Sequence, residues 1–189
     1  PGAPFWLPKG MIIFKELEKY WREIHDKHGY KEISTPIIVK EEVFKKSGHT
    51  TQYAESMFGL KIENEQYYIK PMNCPEGAMV YSYRLRSYRD LPLRLSEIGR
   101  LHRNELSGVL GGMFRVRQLT MDDAHLFCTE EQIFQEVTNV LTIIRKFYDL
   151  FNLKPSYFFS TMPDSALGDV SIWKKAESAL KEALKANKL

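Results

Sequence analysis

The chain has 189 residues, 43% of them hydrophobic and 13% aromatic, enough for one globular domain with a substantial core. Its 27 basic and 24 acidic residues leave a net charge of +3, which permits a nucleic-acid partner without requiring one. Two cysteines, Cys74 and Cys128, exclude a disulfide framework, no apolar run of about 18 residues marks a membrane span, and no secretory leader opens the chain, so a cytoplasmic setting is expected. The first residue is Pro1 and the last stretch is a bare helical pattern, so the expectation is a piece of a longer protein.

From residue 10 to 28, Ile13, Leu17, Tyr20, Trp21, Ile24 and His28 recur at helical spacing, with Gly29 as a stop. Tyr30 to Val39 reads as a strand, and Pro36, having no amide donor, assigns part of it to an edge, a bulge or an interface. Phe58 to Ile62 and Gln66 to Lys70 flank the polar Glu63-Asn-Glu65 as a hairpin would. A short helix is expected around Gly77 to Ser87. Leu93 to His102 and Phe114 to Phe127 then read as neighbouring antiparallel strands joined by the glycine-bearing loop Leu106 to Met113.

Thr129-Glu-Glu-Gln132 has the form of a capping box, and the apolar positions from Ile133 to Phe151 predict a helix of about six turns. Pro155 to Thr161 predicts one more strand, and Asp169 to Lys188 a last helix carrying Ile172, Trp173, Ala176, Leu180 and Leu184. Helices segregate from hairpin-linked strands, so the predicted class is α+β, an antiparallel sheet flanked by helices.

Chemistry concentrates on the strand that ends at Phe127. A two-residue period places Arg115, Arg117, Leu119, Met121, Asp123 and His125 on one face of an unbulged strand, and Arg103 and Glu105 share a face at the end of the preceding one. Two readings stand. Alternating charge is what the solvated side of a half-exposed sheet looks like. The same face, organised around three arginines, two carboxylates and an imidazole, also suits a polyanion together with a cation, because unpaired charge is costly in a dry core and the guanidinium fork grips phosphate oxygens in pairs.

Cys74 and His125 are ligand types that zinc prefers, yet no local zinc spacing joins them, and each taken alone reads as a packing residue. Cys128 lies three residues after His125, on the opposite side of a strand, and reads as packing. His25, His28, His49 and His102 read as surface or packing histidines. Neither a P-loop nor a Rossmann fingerprint is present, and no Ser-His-Asp arrangement supports hydrolase chemistry, so any nucleotide must be held by side chains on a sheet.

At these residues the chain resembles the class II aminoacyl-tRNA synthetases. The helix followed by His28-Gly-Tyr-Lys-Glu-Ile-Ser-Thr-Pro36 is similar to the first motif of that family, and Arg103-Asn-Glu105 with Arg115 onward is similar to the second. Pro71-Met-Asn-Cys-Pro75, Ser87-Tyr-Arg-Asp-Leu-Pro92, His102-Arg-Asn-Glu105, Met121-Asp-Asp-Ala-His125 and Phe127-Cys-Thr-Glu-Glu-Gln132 together resemble the threonyl branch, and the likeness runs over essentially the whole chain.

The resemblance implies a set of roles. Arg103 would be the catalytic residue that grips the ATP α-phosphate, Glu105 would accept from the adenine amino group, and Arg115 would meet the terminal phosphates, with Mg2+ as counter-ion. Cys74 and His125 would be two of three protein ligands to Zn2+, Asp123 would receive the threonine hydroxyl, and Met72 would line the substrate. Threonine and tRNA(Thr) would be the partners, and residues 10–39 would build a homodimer. Residues 1–189 would form a partial catalytic domain without the editing and anticodon-binding domains.

Leu119 stands where the family usually has a phenylalanine that stacks on adenine, and Met121 where glutamine is common. The third zinc ligand and the third family motif are expected beyond Leu189, so the expectation for the 189 residues alone is little or no activity. Two alternatives remain at this point: a non-catalytic dimerisation or partner-binding module derived from a synthetase, and a seryl- or prolyl-specific relative.

Overall fold

The computed structural model describes residues 2–164, 166 and 168–189. It divides into two compact units, one running to Arg86 and taking in Arg94–His125, the other comprising Ser87–Leu93 and Leu126–Leu189.

In the first unit, α1 (Pro8–Lys27) starts with proline in its first turn, where a missing amide costs nothing, and buries Trp21, Ile24 and His25. Ile13 and Leu17, on the predicted apolar face, remain exposed. The helix ends at Gly29, whose φ of +74° turns the chain. Two short strands follow, β1 (Lys31–Glu32) and β2 (Ile38–Lys40). One strand was expected across this stretch; Pro36 falls in the break, and the halves join different sheets.

Next come α2 (Glu41–Lys46) and α3 (His49–Gln52), then the hairpin of β3 (Phe58–Ile62) and β4 (Glu65–Ile69). Its two turn residues, Glu63 and Asn64, both have positive φ, the geometry whose twist matches that of paired strands. β2 and β3 each pair antiparallel with β4. Val39, Phe44 and Met57 form the core of this layer, with Val43 and Tyr68 packed against it.

The segment after β4 forms α4 (Cys74–Ser82), which starts and ends earlier than the expected Gly77 to Ser87 because Pro75 can occupy a first helical turn. β5 (Leu93–His102) is the centre of the second sheet, flanked by β1 and by β6 (Gln118–Phe127). β1 runs parallel to β5, Lys31 opposite Leu95, so this sheet is not the purely antiparallel one expected, although the α+β class holds. The two sheets meet at Lys70. Its amide donates to the Ile37 carbonyl (2.9 Å), and its carbonyl accepts from the His102 amide (3.0 Å).

β6 starts at Gln118 and not at Phe114. Gly111 bridges to Arg115 across a turn in which Gly112 has φ of +53°, and Phe114 is fully exposed. The Arg117 amide is taken by the Gly2 carbonyl, so it does not join a strand ladder.

In the second unit, the Ser87–Asp90 turn is closed by a capping box, the Ser87 amide donating to Asp90 at 2.8 Å. Thr129 and Gln132 form the expected box, the Thr129 amide donating to Gln132 Oε1 at 2.9 Å, ahead of α5 (Ile133–Leu150). Asp169 caps α6 (Val170–Ala186), accepting from the Ser171 amide. The two helices pack on each other, with Leu141, Ile143 and Ala183 buried, and Arg145 donates to the Asn187 carbonyl at 2.7 Å. Pro155 to Thr161, predicted as a strand, has no regular structure: among the described residues no strand pairs with it, and Phe158 is 89% exposed. β-propensity without a ladder partner does not make a strand.

Candidate active site

The site lies in the first unit, where the turn before α4 meets β5 and β6. Asn73 is fully buried; its carbonyl accepts from the Gly77 amide at the start of α4, and its side-chain amide donates to Asp123 Oδ2 at 3.2 Å. This aims one carboxylate of β6 at the first turn of α4. Two glycines permit the approach. A β-carbon at Gly99 on β5 would fall on the Asn73 carboxamide, 2.7 Å from its Cγ, and one at Gly77 would lie 3.0 Å from the His125 ring.

As a result Cys74, Asp123 and His125, far apart in the chain, bring a sulfur, a carboxylate oxygen and an imidazole nitrogen within 4.8 Å of one another. A thiol, an imidazole and a carboxylate are a donor set that zinc accepts, and the spread needs only a modest contraction to reach zinc bond lengths of about 2.0–2.3 Å. Cys74 is exposed as a residue, but its thiol is partly desolvated; that burial, with the Asp123 charge beside it, pushes the thiol pKa up. A divalent cation at this point would reverse that effect and favour the thiolate. The thiol and the imidazole therefore supply part of the ligand set that zinc takes, with the Asp123 carboxylate beside them.

The arginines are arranged otherwise than a continuous strand predicts. Arg115 and Arg117 precede β6 and so do not share its alternation with Asp123 and His125. Within β6 the alternation holds only from Leu119 to Asp123, with Thr120 and Asp122 exposed between half-buried neighbours; from Asp123 to Phe127 every residue is half-buried. Leu119 lines a cavity of about 280 Å³ with Phe5, Trp6, Phe14 and Arg100. Arg103 donates from Nε to the Pro71 carbonyl (3.3 Å), which ties the end of β5 to the segment carrying Met72 and Cys74. Glu105 and Arg115, both expected to meet ATP, are paired with each other at 3.0 Å. Arg117 closes the loop by donating to the Glu105 carbonyl and to Ser107.

Two features escaped the sequence reading. His49, expected to be a packing or surface residue, is buried with its ring between Ser47 Oγ (2.8 Å) and Met72 Sδ (3.4 Å), a contact to Met72 that no local pattern marked. Burial lowers its pKa. Lys70 is 1% exposed and donates to Thr35 Oγ1 (2.7 Å) and to Glu97 Oε1 (3.0 Å), a buried ion pair behind Pro71. The Lys-Pro-Met-Asn-Cys run contained Lys70, but nothing local marked its partner, 27 residues away.

Residues 58–176 match the family model described as tRNA synthetase class II core domain (G, H, P, S and T). The chain belongs to the class II tRNA synthetase core family. Among its relatives, the threonine–tRNA ligase of Acetivibrio thermocellus is 51% identical over 97% of the chain. This class II core spans 29% of the length of the curated relatives it matches. The crystal structure of the RNA binding domain of threonyl-tRNA synthetase from Cryptosporidium parvum superposes with a TM-score of 0.94 at 41% identity, over 100% of this chain and 47% of that one. A threonyl-tRNA synthetase structure from Aeropyrum pernix gives 0.87 at 31% identity, over 99% of this chain and 43% of that one.

Proposed function

We propose that these residues are the ATP- and threonine-binding part of a threonine–tRNA ligase, which joins threonine to ATP as threonyl-adenylate and passes it to tRNA(Thr). The observation that carries this reading is the convergence of Cys74, Asp123 and His125. In the proposed site Cys74 and His125 hold zinc, Asp123 takes the threonine hydroxyl, and Met72 lines the substrate. When bound, zinc supplies a fixed positive anchor for the amino and hydroxyl groups. Selectivity follows physically: an apolar pocket rejects valine poorly, whereas polar groups waiting for a hydroxyl are left unpaired by valine.

In this reading Arg103 neutralises the α-phosphate while the threonine carboxylate attacks it, with Mg2+ sharing the charge; positioning and electrostatics are what such a displacement needs. Glu105 takes the adenine amino group and Arg115 the terminal phosphates, which requires their ion pair to open. By themselves the 189 residues, 29% of the relatives' length, are expected to turn over little or no threonyl-adenylate.

We also propose a homodimer through residues 10–39. Support comes from the exposed Ile12, Ile13, Leu17, Ile37 and Ile38, apolar groups clustered on α1 and around β2. No helix among the described residues is long and apolar enough to cross a membrane, and a cytoplasmic setting is proposed with the function.

The decisive test is ATP–pyrophosphate exchange by the whole protein with threonine, serine and valine; exchange that does not depend on threonine ends the proposal. On the 189-residue chain, Co2+ in place of zinc should give the visible absorption of a thiolate-bound ion, lost in Cys74→Ser and weakened in His125→Ala. An unchanged spectrum in both variants would remove the metal assignment. For the dimer, Ile13→Lys with Ile38→Lys should lower the sedimenting mass, and no change would refute the interface.

A further inference from the structure

β5 and β6 turn alternate side chains to opposite sides of their sheet, and only one side carries Asp123 and His125. Gly99 faces the Asn73 carboxamide, Asp123 accepts from Asn73 and His125 meets Gly77, so these positions look toward α4. Arg100, Gln118 and Thr120 therefore look the other way, toward α1, as does Asp122, which lies within electrostatic reach of His25. Under the first turns of α1 this second side opens into the cavity of about 280 Å³. Phe5, Trp6 and Phe14 form its aromatic wall, Trp6 and Phe14 meeting edge to face with ring centres 5.2 Å apart. Met11 and Phe14, one helical turn apart, are half-buried on the inner side of α1, whereas Ile12, Ile13 and Leu17, the α1 residues of the proposed dimer face, are exposed on its outer side. Cavity and dimer face are thus separate.

Arg100 is the charged member of the lining, and among the described residues no carboxylate shares the cavity with it. Its guanidinium is exposed and has no hydrogen-bond or ion-pair partner among the described residues. The other arginines at this end of β5 and β6 are engaged: Arg103 donates to the Pro71 carbonyl, Arg115 is paired with Glu105, and Arg117 donates to the Glu105 carbonyl. Arg100 keeps its planar fork for an incoming group, beside the Gln118 amide and the Thr120 hydroxyl, which are also unspent. A guanidinium takes a carboxylate through two parallel hydrogen bonds, and aromatic side chains receive a further ring by edge or offset contact. The cavity is a little smaller than the about 300–1,000 Å³ of drug-sized sites, which leaves room for one ring with a short acid.

We propose that this cavity binds a small aromatic carboxylate, with Arg100 gripping the acid and Phe5, Trp6 and Phe14 enclosing the ring. Gln118 and Thr120 serve the acid oxygens that the guanidinium leaves open. The site lies behind the sheet from Cys74, Asp123 and His125 and does not depend on the proposed ligase activity.

The test uses the 189-residue protein and three probes, phenylacetate, its neutral counterpart phenylacetamide, and acetate, titrated by NMR with the Trp6 indole and Thr120 amide resonances as reporters. Phenylacetate should bind roughly tenfold or more tightly than either of the others, because the amide lacks the charge and acetate lacks the ring. Arg100→Gln, a substitution at an exposed position, should erase the preference for the acid over the amide while leaving Co2+ binding at Cys74 intact. Trp6→Ala, followed at Thr120, should weaken phenylacetate by roughly fivefold or more through loss of the ring contact. Equal affinity for acid and amide, acetate binding as tightly as phenylacetate, no binding of phenylacetate, or full affinity for it in Arg100→Gln would each overturn the proposal.

Discussion

Asn73 and Gly99 occupy adjoining space so closely that the asparagine carboxamide sits where a β-carbon of residue 99 would be. From that seat the Asn73 amide reaches Asp123, so a backbone position on β5 sets the orientation of a carboxylate on β6. Gly99→Ala should cost about 1–3 kcal/mol through overpacking and should also weaken Co2+ binding at Cys74. Asn73→Ala relieves the clash, so the double variant should lose less stability than the sum of the two. Urea denaturation of the four proteins measures this coupling; strict additivity would mean that the two residues do not act on one another.

The buried pair Lys70–Glu97 joins the two sheets of the first unit. Removing one partner strands the other charge, so Lys70→Met and Glu97→Gln should each destabilise by about 3–5 kcal/mol. Replacing both with apolar residues of similar size should recover part of that loss. Chemical denaturation decides it: a loss below 1 kcal/mol for both single variants, taken here as roughly the value of a surface pair, would show that the network is not holding the sheets.

Burial pushes the Glu76 carboxyl from 4.5 up to about 7. A group whose folded pKa is raised contributes stability that is full below its unfolded pKa and is lost as pH rises toward the folded value. The protein should therefore lose on the order of 2 kcal/mol between about pH 4.5 and pH 7 from this group alone. In Glu76→Gln that part of the slope disappears. Thermal unfolding at intervals across this range provides the comparison, and identical pH profiles for the two proteins would contradict the assignment.

Glu105 and Arg115 form a pair in which the arginine is 58% exposed, so breaking it should hardly affect folding. Arg115→Ala is expected to change stability by less than about 1 kcal/mol. Its effect should appear instead in ATP binding by calorimetry, as a loss of roughly tenfold or more, because a charge-assisted phosphate contact is removed. Unchanged ATP affinity would detach Arg115 from the nucleotide.

Much of this molecule is legible from local pattern. The α1 helix stopped by Gly29, the hairpin turn at Glu63 and Asn64 and the capping box from Thr129 to Gln132 all follow from interactions within a few residues, and the motifs that identify the family are equally local. The structure alone decided which distant groups meet. Cys74 reaches His125 because Gly77 and Gly99 leave room where any other residue would place a β-carbon; Arg115 leaves the strand face because Gly111 and Gly112 turn the chain; and Pro155 to Thr161 stays irregular because no neighbouring strand receives it. Backbone propensity is set along the chain, whereas burial, charge pairing and ligand convergence depend on side chains that come together only when the sheets and α4 pack.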